Sequence, residues 1–321
     1  MSFAIWGTGS ALPEKVVTNA DLSTFLDTSD EWIVSRTGIR ERRVLTHETL
    51  ADLAVRAALS ALDAAGTRAE DLTMILCATV SGEYRFPSLA CQVQALIGAG
   101  CPAMDINAAC SGFLYALDTA DAYFARDSKA RILVVAADGL SALVDWRDRS
   151  VCVLFGDGAG AVVLGEGDGL KSIRLRARGD TDLLSALHPS GNSPYRVQPE
   201  GDTFVHMDGQ KVYRSAVSCM TEDLQLVIKD AGMQMTDVDH VLLHQANVRI
   251  VDAVASRLTI PRDRYLANIG RVGNTSAASI PILLDEMCRQ EDRPQDCVLA
   301  MAAFGGGATG GACVIRWHTR P

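Results

Sequence analysis

The 321-residue chain has nine cysteines but no CxxC pair, and none of its six histidines stands at zinc-ligand spacing from two cysteines. That absence excludes a structural zinc module. The cysteines are odd in number and scattered (positions 77, 91, 101, 110, 152, 219, 288, 297 and 313), so no disulfide framework is indicated. Reduced thiols in a cytoplasmic compartment are expected. Basic residues are in short supply: 30 Lys and Arg face 39 Asp and Glu, a formal charge of −9, which argues against nucleic acid as the main partner. A local basic patch for an acidic partner stays open, because steering depends on where the charge sits. No basic segment followed by an apolar run opens the chain, so no signal peptide is expected. The uncharged stretch Cys297–Ile315 contains five glycines, three of them consecutive, and reads as strand, glycine turn and strand, not as a membrane span. A phosphate loop is missing too: Phe155-Gly156-Asp157-Gly158-Ala159-Gly160 is followed by the strand-like Ala161–Leu164 and by no Lys-Ser/Thr.

What is present is a repeat. With 48% hydrophobic and 21% charged residues, the chain is long enough for about two domains or one duplicated one. Ala65-Gly66 followed by Met74–Cys77 matches Ala231-Gly232 followed by Val241–Leu243, at an offset of 166. The same offset lays Ile132–Ala137 on Val298–Ala303, and Gly139 on Gly305. Several coincidences at one offset indicate an internal duplication. Each half has an amphipathic helix (about 46–65 and 212–231) stopped at glycine, and short β-branched strands that demand a helix-covered sheet. Two α/β halves, 1–168 and 169–321, follow. Between Leu187 and Asp202 the residues Pro189, Pro194, Pro199, Gly191 and Gly201 mark an irregular excursion.

Three residues stand where chemistry could sit. Cys110 falls in a turn of small residues just before the helical spacing Phe113, Leu114, Leu117, Ala120 and Phe124. Unpaired N–H groups and the dipole at a helix start favour a nucleophilic thiolate; a buried, inert cysteine is the alternative. His244 stands where the apolar Val241–Leu243 strand runs out, a usual place for functional groups on an α/β sheet; a capping or core histidine is the alternative. Asn274 follows Gly270 and Gly273 in a tight loop that could aim its amide at a cavity; an ordinary N-cap is the alternative. The offset places Cys110 on Ser276, so the cysteine and asparagine loops occupy equivalent places, and pseudo-symmetry would bring them to one centre.

Cys, His and Asn in these settings resemble the β-ketoacyl-acyl-carrier-protein synthase III family of thiolase-type condensing enzymes. The resemblance runs essentially end to end. It includes Thr28–Arg40, the Cys110 segment, Phe155–Ala161, His244-Gln245-Ala246-Asn247, Gly273-Asn274-Thr275 and Phe304-Gly305-Gly306-Gly307. It implies a thiolase-like duplicated fold, two pseudo-symmetric halves in a layered αβαβα arrangement, working as a homodimer. It further implies a ping-pong reaction: Cys110 takes an acyl group from acyl-CoA, malonyl-acyl-carrier-protein loses carbon dioxide, and the enolate attacks the acyl-cysteine to give 3-ketoacyl-carrier-protein. No cofactor is implied, the CoA thioester being a substrate, and no metal.

By the same resemblance His244 and Asn274 stabilise the thioester enolate, and the backbone N–H groups of Cys110 and Gly306 serve the oxyanion of acyl transfer. Phe304 excludes water beside the nucleophile, and Leu140, Phe155 and Phe86 shape the acyl pocket, Phe86 reaching the neighbouring subunit's. Trp32 and Arg36 are expected to sandwich the CoA adenine, with Arg149 as a basic partner and Asn247 in the same site. Arg249 and Arg214 are expected to dock the acidic carrier. The chain departs from the family in the small residues of Gly307–Gly311, which bear on pocket shape, and in Ser256, where lysine is common. Rival readings are a same-fold acyltransferase or secondary-metabolite ketosynthase with another acceptor, and a non-catalytic partner subunit. A biosynthetic thiolase would carry a second cysteine where Phe304–Gly307 stands.

Overall fold

A computed structural model describes residues 2–189, 191, 193–195, 197, 200–291 and 295–318; Pro199 of the proline-rich stretch lies outside them. Two sheets organise the chain. The first has five strands in the order Ser2–Ala11, Asp157–Gly167, Ile132–Gly139, Met74–Ala78, Ala103–Ile106. The second has four, in the order His240–Leu243, Asp296–Gly305, Thr309–His318, Leu170–Arg176. In each, parallel strands meet an antiparallel pair: Met74–Ala78 runs parallel to Ile132–Gly139, as His240–Leu243 does to Asp296–Gly305.

Strand alternation explains the layering. Met74, Leu76 and Ala78 face one side of the first sheet with Ile132, Val134 and Ala136, and there they pack on the helices Gly112–Phe124 and Ser279–Cys288. Leu299, Met301 and Ala303 of the second sheet close the same core from the other side. The intervening residues Ile75, Cys77, Leu133 and Val135 face outward onto the helices Leu50–Ala65 and Leu89–Ile97. Ala300, Ala302 and Val314 do the same beneath Gly209–Asp230 and Val248–Ala255. The result is the expected helix–sheet–helix–sheet–helix stack. Each fully buried Leu or Ile contributes on the order of 1.5–3 kcal/mol of transfer free energy.

Two expected helix starts move. The first begins at Leu50, because Thr49 accepts from the Asp52 N–H while the Asp52 carboxylate accepts from the Thr49 N–H, a reciprocal cap. The second begins at Gly209, one turn earlier than its apolar spacing suggests, because Asp208 caps it through the Lys211 N–H. The Gly158–Gly160 segment lies within the strand Asp157–Gly167, and packing accounts for its glycines: a Cβ at Gly160 would sit 2.7 Å from the backbone nitrogen of Ile282. The central helix Ser279–Cys288 is thus pressed directly onto the first sheet. Its buried Asp285 accepts from Thr8 Oγ1 at 2.8 Å and Ser10 Oγ at 2.6 Å, tying it to the edge strand.

The symmetry is shifted by one residue at its centre. One-turn 3₁₀ helices precede the two central helices, at Ala109–Ser111 and Ser276–Ala278, and Ala109 (φ 47°) and Ser276 (φ 52°) hold the same left-handed conformation. Cys110 therefore corresponds to Ala277, and Ser276 corresponds to Ala109. No helix among the described residues is long and apolar enough to cross a membrane. All nine cysteines are free thiols.

Candidate active site

Cys110 is carried on the 3₁₀ turn that leads into Gly112–Phe124, and it is buried. The turn is clamped by the other half: Ser111 Oγ donates to the Thr309 carbonyl at 3.2 Å, and Thr309 Oγ1 donates to the Ala108 carbonyl at 3.0 Å. The strand end at Gly305 comes so close that a Cβ there would lie 2.7 Å from the Cys110 nitrogen. Burial pushes the Cys110 thiol up to about 12, the Asp138 charge acts in the same direction, and the Ser276 hydroxyl opposes them. Desolvation thus opposes the stabilisation of a thiolate expected at a helix start.

His244 continues the His240–Leu243 strand by one residue, its N–H donating to the Ala302 carbonyl at 2.9 Å. Its Nδ1 lies 2.8 Å from Ser279 Oγ. Burial lowers its pKa to about 4, so the ring is neutral near pH 7. Asn274 is held by backbone bonds on both sides, its N–H to the Leu154 carbonyl at 2.9 Å and its carbonyl from the Gly156 N–H at 3.0 Å. The Asn274 Oδ1 accepts from the Ser276 N–H at 2.9 Å. With that oxygen engaged, the amide presents its N–H groups as donors.

Cys110, His244, Asn274, Phe304 and Gly305 line one cavity of about 840 Å³. Its outer part carries Trp32, Arg36, Asn247, Arg249 and Arg214. Cys110 and Phe155 also line a second cavity of about 700 Å³, with Leu140, Gly306 and Leu143. The thiol thus stands where two cavities meet. Phe86 lines neither and is 84% exposed.

At the mouth the structure modifies two expectations. Arg36 and Arg149 place their guanidinium carbons 4.5 and 5.3 Å from the Trp32 ring centroid. Arg36 rests directly on the indole, so the Trp32–Arg36 sandwich is closed, and an adenine could enter it only if Arg36 swung away. Asn247 is engaged by protein: its Nδ2 donates to the Arg36 carbonyl at 2.9 Å and its Oδ1 caps Val248–Ala255 through the Arg249 N–H. Arg249 leans on Tyr213, 5.8 Å from the ring centroid, and both Arg214 and Arg249 are exposed. Among the described residues, no group of three or more His, Cys, Asp or Glu side chains is placed to hold a metal ion.

Sequence reasoning passed over Asp138, Ser279 and the hydroxyl of Ser276. Asp138 had a signal: it is the lone charge in the otherwise apolar strand Ile132–Gly139, and it is fully buried. Burying a carboxylate needs several donors to offset desolvation. Ser279, at the first turn of its helix, carried no signal, because its partner is distant in the chain.

A duplicated, five-layer α/β fold with a cysteine at the pseudo-symmetric centre, faced by a histidine and an amide from the second half, is the thiolase-type build. Family models match two stretches: "3-Oxoacyl-[acyl-carrier-protein (ACP)] synthase III" over residues 104–179, and the same family's C-terminal region over residues 228–317. A β-ketoacyl-[acyl-carrier-protein] synthase III from Aquifex aeolicus is 43% identical over 319 residues, covering 99% of this chain and 100% of that protein. One from Xanthomonas euvesicatoria is 44% identical over 98% of each chain. A crystal structure of the synthase III from Pseudomonas aeruginosa superposes with a TM-score of 0.92 at 37% identity, covering 100% of both chains. The chain belongs to the 3-oxoacyl-[acyl-carrier-protein] synthase III family.

Proposed function

We propose that the protein condenses an acyl-CoA primer with malonyl-acyl-carrier-protein, with loss of carbon dioxide, to give 3-ketoacyl-acyl-carrier-protein at the start of fatty acid synthesis. One observation carries this reading: a buried thiol stands where two cavities meet, and His244 and Asn274 line only one of them. Cys110 Sγ attacks the acyl thioester, the new thioester forms as the bond to CoA sulfur breaks, and the acyl chain occupies the second cavity beside Leu140, Phe155 and Gly306. Malonyl-carrier-protein then enters the first cavity. Its decarboxylation builds negative charge on the thioester oxygen, which the His244 Nε2–H and the Asn274 amide stabilise. Both are neutral donors, so they do not hold the departing carboxylate in place. The N–H groups of Cys110 and Gly306 serve the oxyanion of acyl transfer, where a lost donor costs about 3–4 kcal/mol. Phe304 keeps water from the acyl-cysteine.

In this reading Trp32, Arg36 and Arg149 hold the CoA nucleotide, with Asn247 supporting Arg36, and Arg214 and Arg249 dock the acidic carrier. The enzyme works as a cytoplasmic homodimer in which exposed Phe86 completes the partner's acyl pocket, and it calls on no cofactor beyond the CoA thioester substrate. Incubation with acetyl-CoA should add one acyl mass to the Cys110 peptide alone. His244→Ala and Asn274→Ala should keep that acylation and lose condensation. Labelling of another cysteine, or an Asn274→Ala enzyme that still decarboxylates malonyl-carrier-protein but cannot take up the acyl group, would refute the assignment.

A further inference from the structure

We propose that the Ser276 hydroxyl stabilises the negative charge on Cys110 Sγ, which the sulfur carries as nucleophile in acyl transfer and as leaving group in condensation. The proposal rests on the acyl-cysteine reading above. Ser276 Oγ donates to Cys110 Sγ at 3.6 Å, and both residues are buried. A hydrogen bond to an ionised acceptor is about twice as strong as one to a neutral acceptor, so the contact favours thiolate over thiol. It is strongest at the steps in which the sulfur is anionic, which is the differential stabilisation that catalysis requires.

The backbone is arranged for this contact. Ser276 holds a left-handed conformation, φ 52°, which is uncommon for a residue other than glycine. Its N–H donates to Asn274 Oδ1 at 2.9 Å, and the next N–H, of Ala277, donates to the Asp138 carboxylate at 3.3 Å. The pseudo-symmetric turn holds the same conformation with Ala109, φ 47°, so the turn itself needs no hydroxyl. What the serine adds is the donor on the sulfur. Asn274 is thereby divided in its work: its oxygen positions Ser276, and its nitrogen serves the enolate.

The need for such a donor follows from the surroundings. Among the described residues, the titratable groups facing the sulfur are Asp138, from the strand Ile132–Gly139, and His244, from the end of His240–Leu243. The Asp138 charge disfavours a thiolate, as burial does, and the neutral His244 offers no cation to offset them. A donor on the sulfur counters both. Ser276 touches the reacting atom and is in that sense a catalytic residue, and it keeps its own proton throughout. In acylation the Cys110 S–H bond and the bond to CoA sulfur break, the new sulfur–acyl bond forms, and the proton ends on the CoA sulfur. In condensation the enolate carbon takes the acyl group, and Cys110 leaves as a thiolate that takes a proton from water.

The test is the rate at which iodoacetamide alkylates Cys110, followed across pH by mass spectrometry of the Cys110 peptide, for wild type, Ser276→Ala and Ser276→Gly. Single-turnover acetyl transfer from acetyl-CoA is measured beside it. Alanine is tolerated at such a φ, since Ala109 and Ala308 adopt it in this chain, and glycine adopts it freely. Both variants should react about ten-fold more slowly with either reagent, as loss of a hydrogen bond to a charged group demands. The alkylation profile should move toward alkaline pH by about one unit, the same ten-fold read as thiolate fraction. The sign is diagnostic, because deleting the hydroxyl opens space beside the sulfur, and a packing role alone would leave alkylation unchanged or faster. The wild-type alkylation rate and profile in either folded variant overturn the proposal. If Ser276→Ala does not fold, Ser276→Gly decides alone. Failure of wild type to take the acetyl group, with the Ser276 effect on alkylation intact, would instead sink the acyl-cysteine reading.

Discussion

His244 makes the most quantitative prediction, through the acid sensitivity of the fold. Its pKa falls from 6.5 to about 4 because burial penalises the imidazolium. Above pH 6.5 both folded and unfolded states carry it neutral, and it adds nothing to the pH dependence. As pH falls below 6.5 the unfolded chain binds the proton first, so stability drops, and the drop levels off near pH 4 where the folded ring also protonates. At pH 5 this linkage amounts to about 2 kcal/mol, from the ratio of proton-binding terms in the two states. His244→Asn keeps a neutral polar side chain and deletes the titration. Urea unfolding of both proteins at pH 8 and pH 5 isolates the effect, since every other titrating group is common to the two. The variant's stability relative to wild type should improve by about 2 kcal/mol on going to pH 5. A relative stability that stays constant across that range would mean the folded ring titrates near its ordinary value, and the neutral-donor role would lose its basis.

Gly305→Ala would push a methyl to 2.7 Å from the Cys110 nitrogen, moving the nucleophile's N–H away from the oxyanion it serves. Acyl transfer should fall by about a hundred-fold, with a loss of stability of about 1–3 kcal/mol from overpacking; a variant with wild-type acylation would show that this amide is not used. Asp285→Ala removes the acceptor shared by Thr8, Ser10 and Arg289 at the contact between the central helix and the first sheet. Denaturant unfolding should show a loss of about 3 kcal/mol, chiefly from the buried hydroxyls left unpaired, while Cys110 acylation in the folded enzyme persists.

Much of the architecture was legible because its determinants are local. The alternation in Ile132–Gly139 sends Ile132, Val134 and Ala136 to one core and Leu133 and Val135 to another, and the same alternation recurs in Asp296–Gly305. Helix starts were less legible, because the polar caps Thr49 and Asp208 override the apolar period that marks the helix body. The three central residues could be picked out by their places at strand ends and turns, and the structure brings them to one cavity.

The sequence by itself determined the duplication, the strands and helices, and the residue types available at the centre, since these depend on spacing along the chain. Tertiary structure alone decided the one-residue shift that sets Ser276 beside Cys110, the stacking of Arg36 on Trp32 and the engagement of Asn247 by its neighbours. It also decided the charge states. A helix start favours a thiolate and a free imidazole titrates near neutrality, but both groups are enclosed by segments distant in the chain, Cys110 by those of Ser276 and Gly305 and His244 by those of Ser279 and Ala302. Desolvation depends on everything that surrounds a side chain, and so no local pattern encodes it.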